Sequence, residues 1–210
     1  LKRFLDRHVS CYVPRSEQAA AFLLKQGISA SKITLPIPHG VDQSVFFNDP
    51  TVKKGRCIFS PSRLVFSKGV DVLLRAFALV CREIDDLELI VQGEGPLKEE
   101  YMALSRELKV HERVNFDTNR LNHDQMRERY QRSLITVISS RADNVIFSDM
   151  ESISCGTPVV LSTGADSHAN YRDGIGGTCF ENENYEQLAD ILVGIITDDS
   201  RRRQMEDGAL

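Results

Sequence analysis

Leu87-Glu88-Leu89-Ile90-Val91-Gln92-Gly93-Glu94-Gly95-Pro96-Leu97 is the stretch on which the fold turns. Its first half is an apolar run of strand length that ends in two glycines and a proline. From Leu97 onward the spacing changes, and Leu97, Tyr101, Leu104 and Leu108 share one face of a helix. A strand at Leu87–Gln92 followed by a helix near Leu97–Leu108 is half of a β-α-β unit. The same alternation extends in both directions. Upstream lie a strand at Cys57–Ser60 and a helix near Val70–Glu83, with Val70, Leu73, Leu74, Phe77, Val80 and Cys81 on one face. Downstream the sequence predicts strands at Val114–Phe116, Leu134–Ser139, Pro158–Leu161 and Thr178–Phe180. Helices are predicted near Gln125–Arg132, Met150–Cys155 and Tyr185–Thr197. Strands that alternate with helices form a parallel sheet, and right-handed crossovers cover both of its faces. The expectation is an α/β, doubly wound parallel sheet whose ligand crevice opens at the carboxyl ends of the strands.

A separate βα unit precedes this series. It has a short strand near Val9–Val13, a helix from about Glu17 to Gln26 capped by Ser16 and stopped by Gly27, and a strand at Ile33–Ile37. The polar, turn-rich stretch from His39 to Gly55 suits a linker, which places residues 1–50 in one region and 51–210 in a second. The chain opens on Leu1 rather than methionine, and it is expected to be an excised part of a longer polypeptide.

Composition narrows the function. A net charge of −4 argues against duplex nucleic acid as the main partner. Five scattered cysteines without a CxxC pair indicate neither a disulfide framework nor a zinc site, which reads as cytosolic. No apolar run reaches the roughly 18 residues that a membrane span requires. Hydrophobic content of 41% and charged content of 27% are those of an ordinary globular chain.

Three loops follow strands and carry chemistry. The first, Pro61-Ser62-Arg63-Leu64-Val65-Phe66-Ser67-Lys68-Gly69, sets two cations just ahead of a helix, an arrangement that suits a diphosphate; two solvated surface cations are the alternative. The second is Gly93-Glu94-Gly95-Pro96, whose glycines let a ligand or a neighbouring backbone come close, with Pro96 at the first helical position. It lacks the third glycine and the later acid of a dinucleotide fingerprint, so NAD is not proposed. The third runs from Arg141 through Asp143, Asn144, Phe147, Ser148 and Glu151 to Gly156-Thr157-Pro158. Asp143 and Glu151 stand eight positions apart, one in a loop and one in the first turn of a short helix. Such acids accept hydrogen bonds from sugar or ribose hydroxyls, and amides at Phe147–Met150 are placed to meet phosphate; a loop cap and a dipole-favoured helix acid are the alternative.

In this order these residues resemble the donor-binding, C-terminal domain of the retaining family 4 glycosyltransferases (glycosyl transferases group 1), which have the GT-B fold of two facing Rossmann-like domains. The likeness spans nearly the whole chain. It is carried by His39-Gly40-Val41-Asp42, Arg63 with Lys68-Gly69, Gly93-Glu94-Gly95-Pro96, Val114-Asn115-Phe116 and the Asp143 to Val160 stretch. The resemblance implies that residues 1–50 end an acceptor domain and that 51–210 bind the nucleotide sugar. It implies Arg63, Lys68, Asp143 and Glu151 as the catalytic set. Arg63 and Lys68 would hold the diphosphate, Asp143 the sugar and Glu151 the ribose. Ser62, Gly69, Gly93, Gly95, Asn144, Phe147 and Ser148 would line the donor, and Asp117–Leu121, including Arg120, would surround the base. Asp143 is one methylene shorter than the usual glutamate and His39 replaces a common asparagine; these departures leave the donor sugar open.

The activity so implied is sugar transfer with retention, in the synthesis of a glycan, polysaccharide or glycolipid. It uses no metal and no cofactor, with UDP or GDP carrying the sugar and the donor phosphate receiving the acceptor's proton. The acceptor, a glycan or a lipid-linked one, would meet the missing N-terminal domain. A cytoplasmic location follows, with peripheral association at the inner face of the membrane left open. Two other readings stand beside it: a nucleotide-binding module inactive in isolation, and a GT-B-like sugar-nucleotide epimerase. The last segment, Asp199–Leu210, with its Arg201-Arg202-Arg203 run, is expected to begin a helix that returns to the absent domain; a solvated helix face is the alternative.

Overall fold

In the computed structural model, six strands form one sheet in the order β3-β2-β1-β4-β5-β6. They are β1 (Cys57–Pro61), β2 (Glu88–Gln92), β3 (Val114–Asp117), β4 (Ile135–Ile138), β5 (Val159–Ser162) and β6 (Gly177–Phe180). Every pairing is parallel, with Phe59 in register with Ile90 on one side and with Thr136 on the other. The structure describes residues 7–37, 40–142, 146–165, 171 and 175–207. The helices are α1 (Glu17–Lys25), α2 (Val70–Val80), α3 (Lys98–Glu107), α4 (His123–Arg132), α5 (Ser148–Ser154), α6 (Tyr185–Thr197) and α7 (Asp199–Asp207). The doubly wound sheet read from the sequence is the sheet observed, and its strand order reverses between β1 and β4.

Among the described residues three apolar clusters follow from the alternation of side chains along the strands, one of them holding Ile138, Val159 and Leu161. Ile58, Leu89, Val91, Ile135, Val137 and Val160 pack with α2 and α6, through Leu73, Phe77, Leu192 and Ile195. Phe59 and Ile90 point the other way, into a cluster with Phe46, Tyr130 and Cys155. Both faces of β4 are therefore dry, and all four of its residues are buried. Caps set the helix starts. Asn122 and Gln125 exchange side-chain-to-backbone bonds of 2.9 Å at the start of α4, and Asn184 accepts from the Gln187 amide at 3.0 Å to begin α6.

The chain falls into two compact units, Leu1–Gly40 and Val41–Leu210. In the first, the strands expected near Val9–Val13 and Ile33–Ile37 reduce to a single bridge between Tyr12 and Ile33. A β-branched run without further strands to pair with has nothing to extend it into a ladder. Residues Val41–Pro50, read as linker, fold onto the second unit. Phe46 is 6% exposed and meets Tyr130 edge-on at 6.2 Å.

One further expectation is corrected. Pro96 is not the first residue of a helix, because α3 begins at Lys98 after Leu97. The Leu97 amide donates to the Leu64 carbonyl at 3.1 Å and the Leu64 amide to the Glu94 carbonyl at 3.0 Å, so this segment is clamped to the loop after β1 before it can coil. The helix expected to begin at Asp199 is present as α7; its Met205 is 4% exposed and joins the core beside α6, and Arg202 pairs with Asp199 at 2.7 Å.

Candidate functional site

The loop after β1 is shaped by partners far along the chain. Its Ser62 amide donates to the Gln92 carbonyl at 2.8 Å, and Leu64 is fully buried, which anchors the loop from within. Phe66–Lys68 form a 3-10 turn ending at Gly69, whose φ of +61° lies in the left-handed region. A Cβ at Gly69 would lie 2.1 Å from the Ser139 carbonyl oxygen, so the turn rests against the end of β4. Ser139 Oγ also donates to the Lys68 carbonyl at 3.0 Å.

Arg141 completes the hold on this turn. Its amide donates to the Ser67 carbonyl at 2.8 Å, and Nη1 donates to the Phe66 carbonyl at 2.8 Å. The guanidinium lies over the Phe66 ring at 4.1 Å and reaches Glu183 at 2.5 Å. Against Asp71 it makes two bonds, of 2.9 and 2.6 Å. The hydrogen bonds that Arg141 donates to Asp71 and Glu183 raise its pKa still further, so it is a permanent cation used for architecture.

Lys68 lines a hollow of about 160 Å³ at the carboxyl ends of β1 and β4, where the strand order reverses. Ser60, Ser62, Ser139, Ser140, Phe147 and Ser148 share its wall. A second and larger hollow of about 830 Å³ is lined by Arg63, Gly93, Glu94, Gly95, Pro96 and Thr118 to Arg120. The two adjoin at the Ser62–Arg63 peptide.

The glycines of the second loop have a backbone duty. A Cβ at Gly93 would fall 2.5 Å from the Ser62 carbonyl, and one at Gly95 would fall 2.3 Å from that of Leu64. A neighbouring backbone therefore comes close at both glycines, and both also line the second hollow. The segment after β3 is equally fixed. Gln92 Nε2 donates to the carbonyls of Asp117 and Asn119 at 3.0 and 2.8 Å, and Arg129 donates to Asp117 Oδ2 at 2.8 Å. The Asn119 amide, its side chain and Arg129 together hold the Asp117 carboxyl below the usual carboxylate range despite its burial.

Glu151 stands in the first turn of α5, its amide donating to the Phe147 carbonyl at 2.9 Å. Its Oε2 accepts from the Tyr130 hydroxyl at 2.8 Å, and it lines neither hollow. Burial pushes its pKa up, opposed by the Tyr130 bond and by nearby His123, with Asp149 adding to the rise.

Of the residues singled out in the sequence, Ser62, Lys68, Phe147 and Ser148 come together around the first hollow, and Arg63, Gly93, Gly95 and Arg120 around the second. Gly69 closes the Lys68 turn. Asp143 and Asn144 lie outside the described residues. Sequence reasoning missed the anchoring roles of Arg141, Gln92 and Tyr130. Arg141 alone carried a signal, as a cation directly following a strand. Among the described residues no helix is long and apolar enough to cross a membrane.

Fold and hollows together define a doubly wound α/β domain with its crevice at a topological switch point. The model of the family "Glycosyl transferases group 1" matches residues 42–209, and the chain belongs to that family. A poly(glycerol-phosphate) alpha-glucosyltransferase of Bacillus subtilis is 27% identical over 178 residues, covering 82% of this chain and 25% of that protein. The chain spans between a quarter and about half of the length of this and other curated relatives it matches. Among solved structures, the C-terminal domain of LpcC, a glycosyl transferase group 1 family protein from Francisella tularensis, superposes with a TM-score of 0.74 at 18% identity, over 81% of this chain and 94% of that one. Anabaena HepE, solved in complex with UDP and glucose, superposes with a TM-score of 0.86 at 19% identity, over 99% of this chain and 59% of that one.

Proposed function

We propose that this chain is the donor-binding part of a retaining glycosyltransferase that uses a nucleoside diphosphate sugar. The observation that carries the reading is the placement of Lys68 with Ser62, Phe147 and Ser148 around one hollow at the β1/β4 switch point, with Arg63 on the wall of the next. UDP in a structure of the same fold supports it. Arg63 and Lys68 neutralise the diphosphate, Glu151 accepts from the ribose, Asp143 from the sugar, and the Asp117–Leu121 segment borders the base.

In the reaction the bond between the anomeric carbon and the β-phosphate oxygen breaks, and its electron pair stays on the departing diphosphate. The acceptor oxygen bonds the anomeric carbon on the same face, and its proton passes to a phosphate oxygen of the leaving group. Positive charge grows on the sugar ring and negative charge on the diphosphate. Cations placed beforehand around that oxygen stabilise the transition state more than the ground state. The acceptor, a glycan or a lipid-linked glycan, binds outside this chain.

A thermal-shift panel of UDP, GDP and their hexose conjugates tests the assignment, since a ligand of the folded state raises its apparent stability. The expected result is a shift with one nucleotide class, together with an unchanged sugar when the donor is followed by NMR without acceptor. Conversion of the sugar in that sample would point to an epimerase, and no shift with any nucleotide would reject donor binding.

A further inference from the structure

Tyr130 is a fully buried phenol with a fixed environment. Phe59 meets it edge-on at 5.3 Å and 80°, Phe46 at 6.2 Å and 70°, and its carbonyl accepts from Thr157 Oγ1 at 2.7 Å. A hydroxyl in an aromatic surround is costly unless it is bonded, and this one donates to Glu151 Oε2 at 2.8 Å. The bond joins α4 to α5 and engages one carboxylate oxygen, leaving Oε1 outside it. Glu151 is not itself part of that wall, but it lies one turn from Phe147, which lines the Lys68 hollow.

We propose that Tyr130 is a positioning residue for the nucleotide: its hydroxyl fixes the Glu151 carboxylate so that the second oxygen meets the ribose diol. The inference rests on the reading of Glu151 as the ribose contact. A carboxylate on a short helix otherwise turns about its last torsion, and a rigid buried donor removes that freedom before the ligand arrives. The bond also favours the charged form that a diol prefers. The groups facing Glu151 are Tyr130 and His123 from α4, with Asp149 on its own helix and Cys155 at that helix's C-cap. Burial raises the carboxyl and the Tyr130 bond opposes the rise, so the Tyr130→Phe variant titrates at a higher pH than the native chain. His123 is present in both proteins, so their difference reports the phenol.

The test measures binding of UDP and of 2′,3′-dideoxy-UDP to the 210-residue chain by calorimetry, from about pH 5 to 8. The native chain prefers UDP. Glu151→Ala loses that preference, and Tyr130→Phe lowers UDP affinity by about tenfold, the size expected when a hydrogen bond to a charged group is removed. The loss is absent with the dideoxy nucleotide, and the acid limb of UDP binding moves to higher pH. Should Tyr130→Phe fail to fold, Glu151→Asp, which withdraws the carboxylate from the phenol and keeps its charge, loses the same preference. If Glu151→Ala discriminates the two nucleotides as the native chain does, the ribose assignment falls and the inference with it. If Glu151→Ala loses discrimination while Tyr130→Phe, or Glu151→Asp in its place, keeps it with an unmoved pH midpoint, the inference alone is overturned.

Discussion

The Arg141 guanidinium closes on the Asp71 carboxylate through bonds of 2.9 and 2.6 Å, joining the segment after β4 to the first turn of α2. Between them lies the turn that carries Lys68. The lysine is therefore placed by an ion pair in which it takes no part.

Arg141→Ala should cost about 2 kcal/mol of stability, between the values for exposed and fully buried pairs. UDP affinity should fall as well, because Lys68 loses its support. Burial acts to raise the Asp71 carboxyl, and Arg141 outweighs it, so the folded-state pKa is depressed. The pair's contribution is then fully present above the unfolded value of about 4 and is lost as pH falls through the lower folded value. The gap between the urea midpoints of native and Arg141→Ala proteins should narrow as the pH is lowered from neutral through the folded Asp71 value; a gap that does not change with pH would contradict the pairing.

Gly69→Ala places a methyl 2.1 Å from the Ser139 carbonyl at a φ of +61°. The turn must move, and the expected cost is about 2 kcal/mol or more. Chemical denaturation measures it. A stability within about 0.5 kcal/mol of native, the range of an ordinary surface change, would show that the turn does not lie against β4.

Met205→Ala discriminates between two placements of the last helix. With Met205 in the α6 core, its removal costs about 2–5 kcal/mol. A helix reserved for docking elsewhere would tolerate the change, and an unaltered melting temperature would contradict the packing described.

The fold was legible because its elements obey local rules. β4 is buried on both faces and reads as a β-branched run, Ile135-Thr136-Val137-Ile138, and α6 runs from Tyr185 to Thr197 as expected because Asn184 caps it. The misreadings have tertiary causes. Pro96 precedes α3 instead of opening it because Leu64 holds Glu94 and Leu97, and the runs around Tyr12 and Ile33 find only one bridge. In the site, Arg63 and Lys68 were visible as cations following a strand. Arg141's partner lies 70 residues away, a distance no local pattern spans. Tyr130 looked like one more residue of an amphipathic helix, because its hydroxyl bond to Glu151 exists only once α4 and α5 are packed together.

The central claim is that Arg63 and Lys68 serve one diphosphate. It is tested most directly by calorimetric titration of UDP and uridine into the native chain and into the Arg63→Ala/Lys68→Ala double variant. Deleting one charge-assisted hydrogen bond to phosphate weakens binding about tenfold, so UDP affinity should fall by about a hundredfold while uridine binding stays the same. A double variant that binds UDP as tightly as the native chain would contradict the account.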